Sequence, residues 1–423
     1  MNESQSENGA APEQGTPMMV AGAMAGGLTA YLFHALGGRG LGADAYAPIG
    51  VMWTGAFIII TVLYLPLEQW VTREVTERRN PLSGGLGLVL VVTGVAVAAA
   101  AVATGWTLPP LTEQVVTHMW QMVLLIVGYG CFWIGKGVLQ GRGRYGRVGW
   151  MLSAEGLVRL AVLGVVLATG GGAVGLGWAM VAAPWVVFLF GFWRGRRLDH
   201  PSAAGRIFVQ HYVVGAAAAH VLVAAAPLAV TYMGGTAAQV SMVFIVFVLF
   251  RAPLTLMYSL QGRVLPPLVR MVGRGEGESL RKLGGRLWMG SLGLASLAAL
   301  LGYLVGPEAV KLLMGSDFVP SSLVTALVAG GTAMAAGVQL LAQILVAGSR
   351  TGRLATAWVS GLAAAGLVTW LSPSGPVVAV ATGFCAGEAV ALLVVGRMVL
   401  SRSTLGPSGI TVPSGDDRNA GRG

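Results

Sequence analysis

Five ionisable residues stand inside long apolar stretches of the sequence: Arg159, Arg251, Glu155, Glu388 and His220. A charged side chain at membrane depth is costly if it faces lipid, so each of these residues needs a protein partner or a polar cavity. Arginine suits an anionic ligand, and a lone carboxylate suits a proton or a cation. We therefore assign Arg251, Arg159 and Glu155 to substrate binding, and Glu388 and His220 to ion coupling.

The two arginines differ in their sequence neighbours. Glu155 precedes Arg159 by one helical turn, with the acid N-terminal to the base, which is the favourable order for a pair. That pair is either a structural salt bridge or part of a substrate site. Arg251 has no acidic residue within a helical turn. It therefore needs a partner from another helix or an anionic ligand.

Glu388 and His220 each have two interpretations. Glu388 has no local partner, so it is a proton or cation site or the counter-ion of an arginine. His220 lies on an alanine-rich face, where a histidine is either a hydrogen-bonded structural residue or a proton relay.

The sequence motifs that would indicate nucleotide binding, a metal site or a disulfide lack the structural context that they require. Gly141, Gly143 and Gly146 have the spacing of a dinucleotide-binding loop, but the preceding segment is an apolar helix and not a strand. Cys131 and Cys385 both fall in apolar segments, so the sequence offers no disulfide framework and no metal-ligand spacing. We predict no catalytic residue, no metal, no cofactor and no enzymatic activity.

Composition restricts the class of protein. The 423 residues are 55% hydrophobic and 10% charged, whereas an ordinary globular protein has about 25% charged residues. The net charge of +10 is spread over short loops, which argues against nucleic acid as a partner. The sequence predicts a polytopic, all-α membrane protein.

A hydrocarbon core of about 30 Å requires roughly 20 apolar residues per helix. Twelve segments of the sequence meet this requirement: 18–36, 46–66, 84–103, 115–136, 149–169, 175–193, 207–231, 237–260, 287–306, 321–347, 352–371 and 376–399.

The distribution of basic residues predicts the topology. Of the 27 Lys and Arg residues, Arg159 and Arg251 lie deep within spans, and only Arg39 and Lys311 fall in the connections that would be external if the N-terminus is inside. All others fall in internal segments or at the span ends that adjoin them, including 136–148. Cytoplasmic loops carry such an excess. We predict a protein of the cell membrane with both termini cytoplasmic.

The two halves of the chain match in pattern at an offset near 200 residues. Each half has six predicted spans, so corresponding helices share one orientation. Two pseudo-symmetric six-helix lobes around a central cavity follow from this arrangement. We place the lobes at 18–206 and 207–400, between disordered cytoplasmic tails at 1–17 and 401–423.

Three stretches resemble a known family: ALGGRGLGADAYAPIGVMW after the first span, LQGRGRYGRVGWMLSAEGLVRLAVL at spans four and five, and FRAPLTLMYSLQGRVLPPLVRMVGRGE at spans eight and nine. They are similar to motifs of the oligosaccharide flippases, or polysaccharide-biosynthesis exporters, of the multidrug/oligosaccharidyl-lipid/polysaccharide (MOP) superfamily. Unlike the better-known cell-wall precursor flippases, which have fourteen spans, this chain has twelve.

The resemblance implies a function. Such proteins turn polyprenyl-diphosphate-linked sugars over by alternating access, so Arg159 and Arg251 would face the central cavity and bind the diphosphate. The expected partners are a lipid-linked glycan, membrane lipids, and glycosyltransferases or a polymerase. Three alternatives stay open: a cation-coupled drug exporter of the same superfamily, a membrane enzyme of polysaccharide assembly, and a scaffold. The short external connections speak against the enzyme.

Overall fold

The computed structural model describes residues 15–192, 200–201, 217–348 and 351–401. The predicted lobe boundary between residues 206 and 207, and most of both predicted tails, lie outside these ranges. The described chain is helical apart from short turns and one pair of two-residue strands, Arg79–Asn80 (β1) and His200–Pro201 (β2), which pair in parallel. Burial of apolar side chains between the helices forms one large core.

The first bundle contains six helices, a π-helical turn and a 3-10 helix. They are α1 (Thr16–Ile59), the π-helical turn Ile60–Tyr64, α2 (Leu65–Thr76), α3 (Pro81–Thr107), α4 (Val115–Gly141), α5 (Tyr145–Thr169), α6 (Gly172–Ala182) and the 3-10 helix Ala183–Phe190.

The second bundle contains eight described helices. They are α7 (217–224), α8 (Ala226–Tyr232), α9 (Ala237–Phe250), α10 (Ala252–Gly273), α11 (Gly277–Met314), α12 (Ser322–Ala347), α13 (Thr351–Leu371) and α14 (Pro376–Leu400).

Among the described residues, nine helical stretches are long and apolar enough to cross a membrane. The first covers 60 residues and supplies the first two predicted spans. The seventh predicted span corresponds to α7 and α8, and its residues 207–216 lie outside the described ranges. The eighth corresponds to α9 and α10. The predicted all-α fold is confirmed, and the chain is a multi-pass membrane protein.

The connection between the first two spans differs from the prediction. Residues 37–45 were expected to form a loop, but they continue α1 and are interrupted only at Gly42, where φ is 77° and ψ is 170°. A positive φ is readily adopted only by glycine. The chain therefore turns sharply at one residue, and the two helical halves of α1 leave it at different angles.

The eighth span is also interrupted. The prediction was one helix over 237–260, but α9 ends at Phe250, and α10 begins after Arg251 and extends to Gly273. The second span has a similar irregularity, the π-helical turn Ile60–Tyr64 before α2. Pro66 and Pro253 stand in the first turn after these interruptions. Proline has no backbone N–H to donate to the preceding turn, which accounts for the interruption before Pro253 and for the π-helical irregularity before Pro66.

The connections between consecutive helices lie on two opposite sides of the molecule. The side that carries segments 77–80, 142–144 and 274–276 is the basic side, because most of the described Lys and Arg residues outside the spans lie there. The opposite side carries segments 108–114 and 315–321. The two bundles contact each other through α1 and α3 of the first bundle and α8, α9 and α11 of the second. These contacts lie from mid-span to the opposite side.

Candidate functional site

Arg159 lies in a buried polar triangle within the first bundle. Its guanidinium forms an ion pair with Glu155, and the two side chains are 3% and 9% exposed. Tyr129 of α4 donates a hydrogen bond to Glu155 Oε1 at 2.8 Å and accepts one from Arg159 Nη2 at 3.1 Å. The predicted pair of Glu155 and Arg159 thus exists, and Tyr129 closes it. A buried tyrosine hydroxyl needs such a partner, but its position in α4 gave no local signal of which one.

The face of Trp53 lies against the same guanidinium. Arg159 Cζ is 4.9 Å from the centre of the Trp53 ring, within the range of a cation–π interaction. Arg159 Nε is buried and has no hydrogen-bond partner among the described residues. The charge of Arg159 is therefore held at mid-span between a carboxylate, a phenol and an indole, with one donor left over.

Arg251 lies at the interruption of the eighth span and reaches across the interface between the bundles. Its Cζ is 4.4 Å from the centre of the Phe57 ring of α1. The residue is half-buried and lines a small inter-bundle cavity together with Phe57, Phe247 and Pro227. The sequence predicted a partner from another helix or an anionic ligand for Arg251, and Phe57 is a contact from another helix.

The two arginines share one helix face. Trp53 and Phe57 are four residues apart on α1, so their side chains lie one above the other. Arg159 from the first bundle and Arg251 from the second bundle stack on these neighbouring rings. We call the four side chains of Arg159, Trp53, Phe57 and Arg251 the arginine–aromatic cluster. It places two cationic groups at mid-span where the bundles meet.

His34 connects this cluster to both bundles. It is 1% exposed, and its Nδ1 lies 2.6 Å from the Tyr46 hydroxyl. The ring lies edge-on to Trp53, with centroids 4.3 Å apart, and to Phe244 of α9 at 4.9 Å. Helix α1 continues past His34 to the interruption at Gly42.

His220 approaches the cluster from the second bundle. Its ring centre is 6.2 Å from that of Phe57, with a tilted geometry. Phe57 therefore contacts two side chains of the other bundle, Arg251 and His220. Sequence reasoning selected both of these residues but gave no indication of the aromatic residue between them.

Glu388 is fully buried in α14. Neither carboxylate oxygen has a hydrogen-bond partner among the described residues. Phe384 lies one turn before Glu388 and contacts Phe247 of α9 at a centroid distance of 4.9 Å. The helix that carries Glu388 is thus packed directly against a helix of the bundle interface.

Lys136 corrects one assignment. It was counted in the internal loop 136–148, but it lies inside α4, which ends at Gly141. Lys136 Nζ is 3.1 Å from Glu68 Oε1 and 4.2 Å from the centre of the Trp133 ring. This second buried ion pair joins α4 to α2 on the basic-side half of the first bundle.

The glycine-rich turn between α4 and α5 has a structural role. A Cβ atom on Gly141 would lie 2.7 Å from the carbonyl oxygen of Thr72, and Gly143 has a φ of 68°. These glycines permit close packing of α4 on α2 and a tight turn. No group of three or more His, Cys, Asp and Glu side chains that could hold a metal ion occurs in the described part of the chain.

Comparison with known proteins places the fold. No family model matches the sequence. Uncharacterized proteins of Mycobacterium tuberculosis and Mycobacterium bovis are each 26% identical over 404 residues, which covers 88% of this chain and 89% of theirs.

Solved structures with the same architecture are transporters. A multidrug resistance MATE family transporter of the MOP superfamily in an inward-facing conformation has a TM-score of 0.63 and 14% identity, and the match covers 92% of this chain and 98% of that one. The fold is that of the MATE transporters. A eukaryotic MATE transporter also matches, with a TM-score of 0.60, 13% identity, and coverage of 92% and 96%. MATE folds have twelve helices in two lobes, so the two bundles described above are the two lobes.

Proposed function

We propose that the chain is a transporter that moves polyprenyl-diphosphate-linked oligosaccharide across the membrane by alternating access. The fold supports the transport class, and the arginine–aromatic cluster supports the substrate class. Two guanidinium groups from different lobes meet on one face of α1 at mid-span. A diphosphate has the charge and the planar oxygen pairs that guanidinium groups bind by charge-assisted, bidentate hydrogen bonds.

The two arginines have different roles in this proposal. Arg251 is half-buried and lines the inter-lobe cavity, so it contacts the diphosphate directly when the lobes separate. Arg159 is shielded by Glu155, Tyr129 and Trp53, and it contributes through its charge. The cavity in the present state has a volume of about 10 Å³, enough for one water molecule. The lobes must therefore move apart before a head group enters.

Ion coupling belongs to Glu388 and His220 in the proposal. A carboxylate with no partner at membrane depth is costly in its charged form, which favours binding of a proton. His220 lies at the interface next to Phe57, where a change of its charge acts on Arg251. Both residues belong to the second lobe. Protonation there thus affects helices that pack against the first lobe.

A cation-coupled drug exporter is the alternative. The solved structures with this fold include a multidrug resistance transporter, but at 14% identity that likeness concerns the fold alone. Such an exporter needs a mid-span acid in the first lobe that is available to a cation. Glu155 is the acid at that depth, and it is already ion-paired with Arg159 and hydrogen-bonded to Tyr129.

The test is a flipping assay with arginine variants. Purified protein is reconstituted in liposomes with a labelled polyprenyl-diphosphate oligosaccharide, and accessibility of the head group to an impermeant reagent is followed over time. We expect Arg251→Ala to abolish flipping. Arg251→Lys should reduce the rate more than Arg159→Lys, because lysine reproduces bidentate contacts poorly and Glu155 partly satisfies position 159.

Arg397→Ala is the matched control, since Arg397 is exposed at the basic-side end of α14. It should flip at the wild-type rate. Wild-type flipping by a folded Arg251→Ala protein would remove Arg251 from the mechanism. Equal loss in the Arg397 control would show that the assay reports general damage.

A further inference from the structure

Charged side chains on both sides of the Gly42 break hold helix ends of the other lobe. Arg39, three residues before the break, donates from Nε to the carbonyl oxygen of Leu313 at 2.9 Å and from Nη2 to that of Leu312. Both carbonyls belong to the last turn of α11, which ends at Met314. Carbonyl groups in a last turn lack helical partners, and a cation is favourable at that end of the helix dipole.

Asp44, two residues after the break, makes the reciprocal contact. Its Oδ1 accepts a hydrogen bond from the backbone N–H of Ala238 at 3.1 Å. Ala238 is in the first turn of α9, where the Thr236 side chain caps the N–H of Gln239. Asp44 therefore satisfies a second free donor at the positive end of α9. One cation and one anion of α1 are thus matched to one negative and one positive helix end of the second lobe.

An aromatic side chain fills the space beside these contacts. Phe318, in the connection between α11 and α12, is 0% exposed although it lies in a surface loop. A Cβ atom on Gly38 of α1 would lie 3.4 Å from the Phe318 ring, so the ring packs directly on the first lobe. A buried phenylalanine at a lobe interface keeps its apolar surface covered only while the lobes remain in contact.

We propose that Arg39, Asp44 and Phe318 form a gate that holds the opposite side of the transporter closed. The gate rests on the proposed alternating-access function and adds the device that maintains one of its states. Its three contacts all join the first lobe to the second, and all lie on the same side. Opening of that side must break them together, because Arg39 and Asp44 flank a single break in one helix.

The gate gives a role to three residues of the first family-like stretch, Arg39, Gly42 and Asp44. Gly42 has a positive φ, and a Cβ atom there would lie 3.0 Å from Asp317 Oδ2 in the loop that carries Phe318. The glycine therefore allows α1 to break and also allows the loop of the other lobe to come close. Arg39 and Asp44 are directed by this break towards two different helices, α11 and α9.

Distances between pairs of spin labels on the two lobes test the gate directly. Cys131 and Cys385 are first replaced, because both are half-buried native thiols. One label pair, at Glu113 and Ser374, reports the opposite side, and a second pair, at Thr76 and Glu278, reports the basic side. These four positions are exposed in the structure.

The gate variants are Arg39→Ala, Asp44→Ala and Phe318→Ala. We expect each charge variant to raise the population with a long opposite-side distance about two- to fivefold, since both contacts are solvent-exposed. Phe318→Ala should raise it more than about tenfold, because it removes buried apolar surface. The basic-side distance should shorten in the same molecules. Lys311→Ala and Glu308→Ala are the controls, since both residues are exposed near the same end of α11 without a described inter-lobe contact.

The outcomes separate the gate from the proposed function. Suppose that the wild-type protein switches between states when lipid-linked oligosaccharide is added. Unchanged distances in all three variants would then overturn the gate and leave alternating access intact. Equal shifts in the Lys311 and Glu308 controls would also overturn it. Distances that never change, in any variant or with any addition, would contradict both. Phe318→Leu keeps an apolar side chain and should show a smaller shift, which guards against misfolding of the alanine variant.

Discussion

Glu388 is a fully buried carboxyl group whose two oxygens both lack a hydrogen-bond partner among the described residues. Burial of a charged carboxylate without a partner is strongly unfavourable, whereas the protonated form is much cheaper to bury. The residue is therefore suited to hold a proton in one state and to release it in another, where water or a partner reaches it.

Replacement of Glu388 by glutamine tests this role. Glutamine keeps the shape and neutrality of the protonated acid, so the protein should stay folded, while transport driven by a proton gradient should fall at least about tenfold. Exchange in the absence of a gradient should persist. Glu113→Gln, on the exposed loop 108–114, should leave both activities unchanged. An equal fall of driven transport and exchange would show that Glu388 is structural.

At this scale the sequence pointed to the ionisable residues within spans but not to most of the side chains that contact them. Arg159, Glu155 and Arg251 were found because a charge in an apolar segment is conspicuous. Trp53, Phe57 and Tyr129 were not found, because aromatic residues are common in membrane helices and their partners come from distant helices. Lys136 was misplaced because the end of its helix was set too early.

At the scale of helices, close approach of α1 and α5 holds the first lobe together. A Cβ atom on Gly149 would overlap the backbone carbonyl of Met18, and one on Gly22 would overlap the carbonyl of Gly149. The helices thus meet backbone to backbone. Small residues allow such contact, and the van der Waals packing that results is one of the forces that drive helix association in lipid.

Gly149→Ala should therefore destabilise the first lobe. The added methyl group meets backbone atoms that cannot move aside, and overpacking of this kind costs about 1–3 kcal/mol. Gly164→Ala, on the same helix, is the control, because a Cβ atom there has no neighbour within 4 Å. The thermal unfolding temperature of the purified protein should fall for Gly149→Ala and stay unchanged or rise for Gly164→Ala. Identical melting of the two variants would contradict the packing account.

The interruptions within helices could not be predicted from the sequence, for a physical reason. A hydropathy window averages over a whole span, so it finds α1 and α9 but not the breaks at Gly42 and Arg251. Gly42 is one glycine among 64. Its role depends on Asp317 and on the end of α11, which are distant in sequence. The positions of the spans were predictable, but the helix breaks that shape the lobe interface were not.

At the scale of the whole molecule, the distribution of basic residues predicts that the basic side faces the cytoplasm. The basic side carries most of the described loop arginines, and the opposite side carries Arg39 and Lys311. In a cysteine-free background, single cysteines at Glu113 and Ser374 should react with an impermeant reagent added outside intact cells, because both positions are exposed on the opposite side. A cysteine at Glu278 should react only after permeabilisation. The reverse pattern would invert the topology.

The two-lobe architecture was predictable because the two halves of the sequence repeat in span pattern. The inter-lobe contacts distinguish one side of the molecule from the other. In the present state the lobes meet through the arginine–aromatic cluster at mid-span and through the gate on the opposite side. If the basic side is cytoplasmic, this is the arrangement that an exporter needs before it accepts a substrate made inside the cell. Transport of a large head group then requires loss of both sets of contacts in turn.

One assay in one preparation distinguishes a lipid-linked oligosaccharide from a drug as the substrate. Purified protein in liposomes is given a labelled polyprenyl-diphosphate oligosaccharide and, in parallel, a fluorescent cationic drug under a proton gradient. We expect protein-dependent exposure of the oligosaccharide head group that is lost in Arg251→Ala, with no accumulation or efflux of the drug. Gradient-driven drug efflux by the wild-type protein, with no head-group exposure above that of protein-free liposomes, would contradict this expectation.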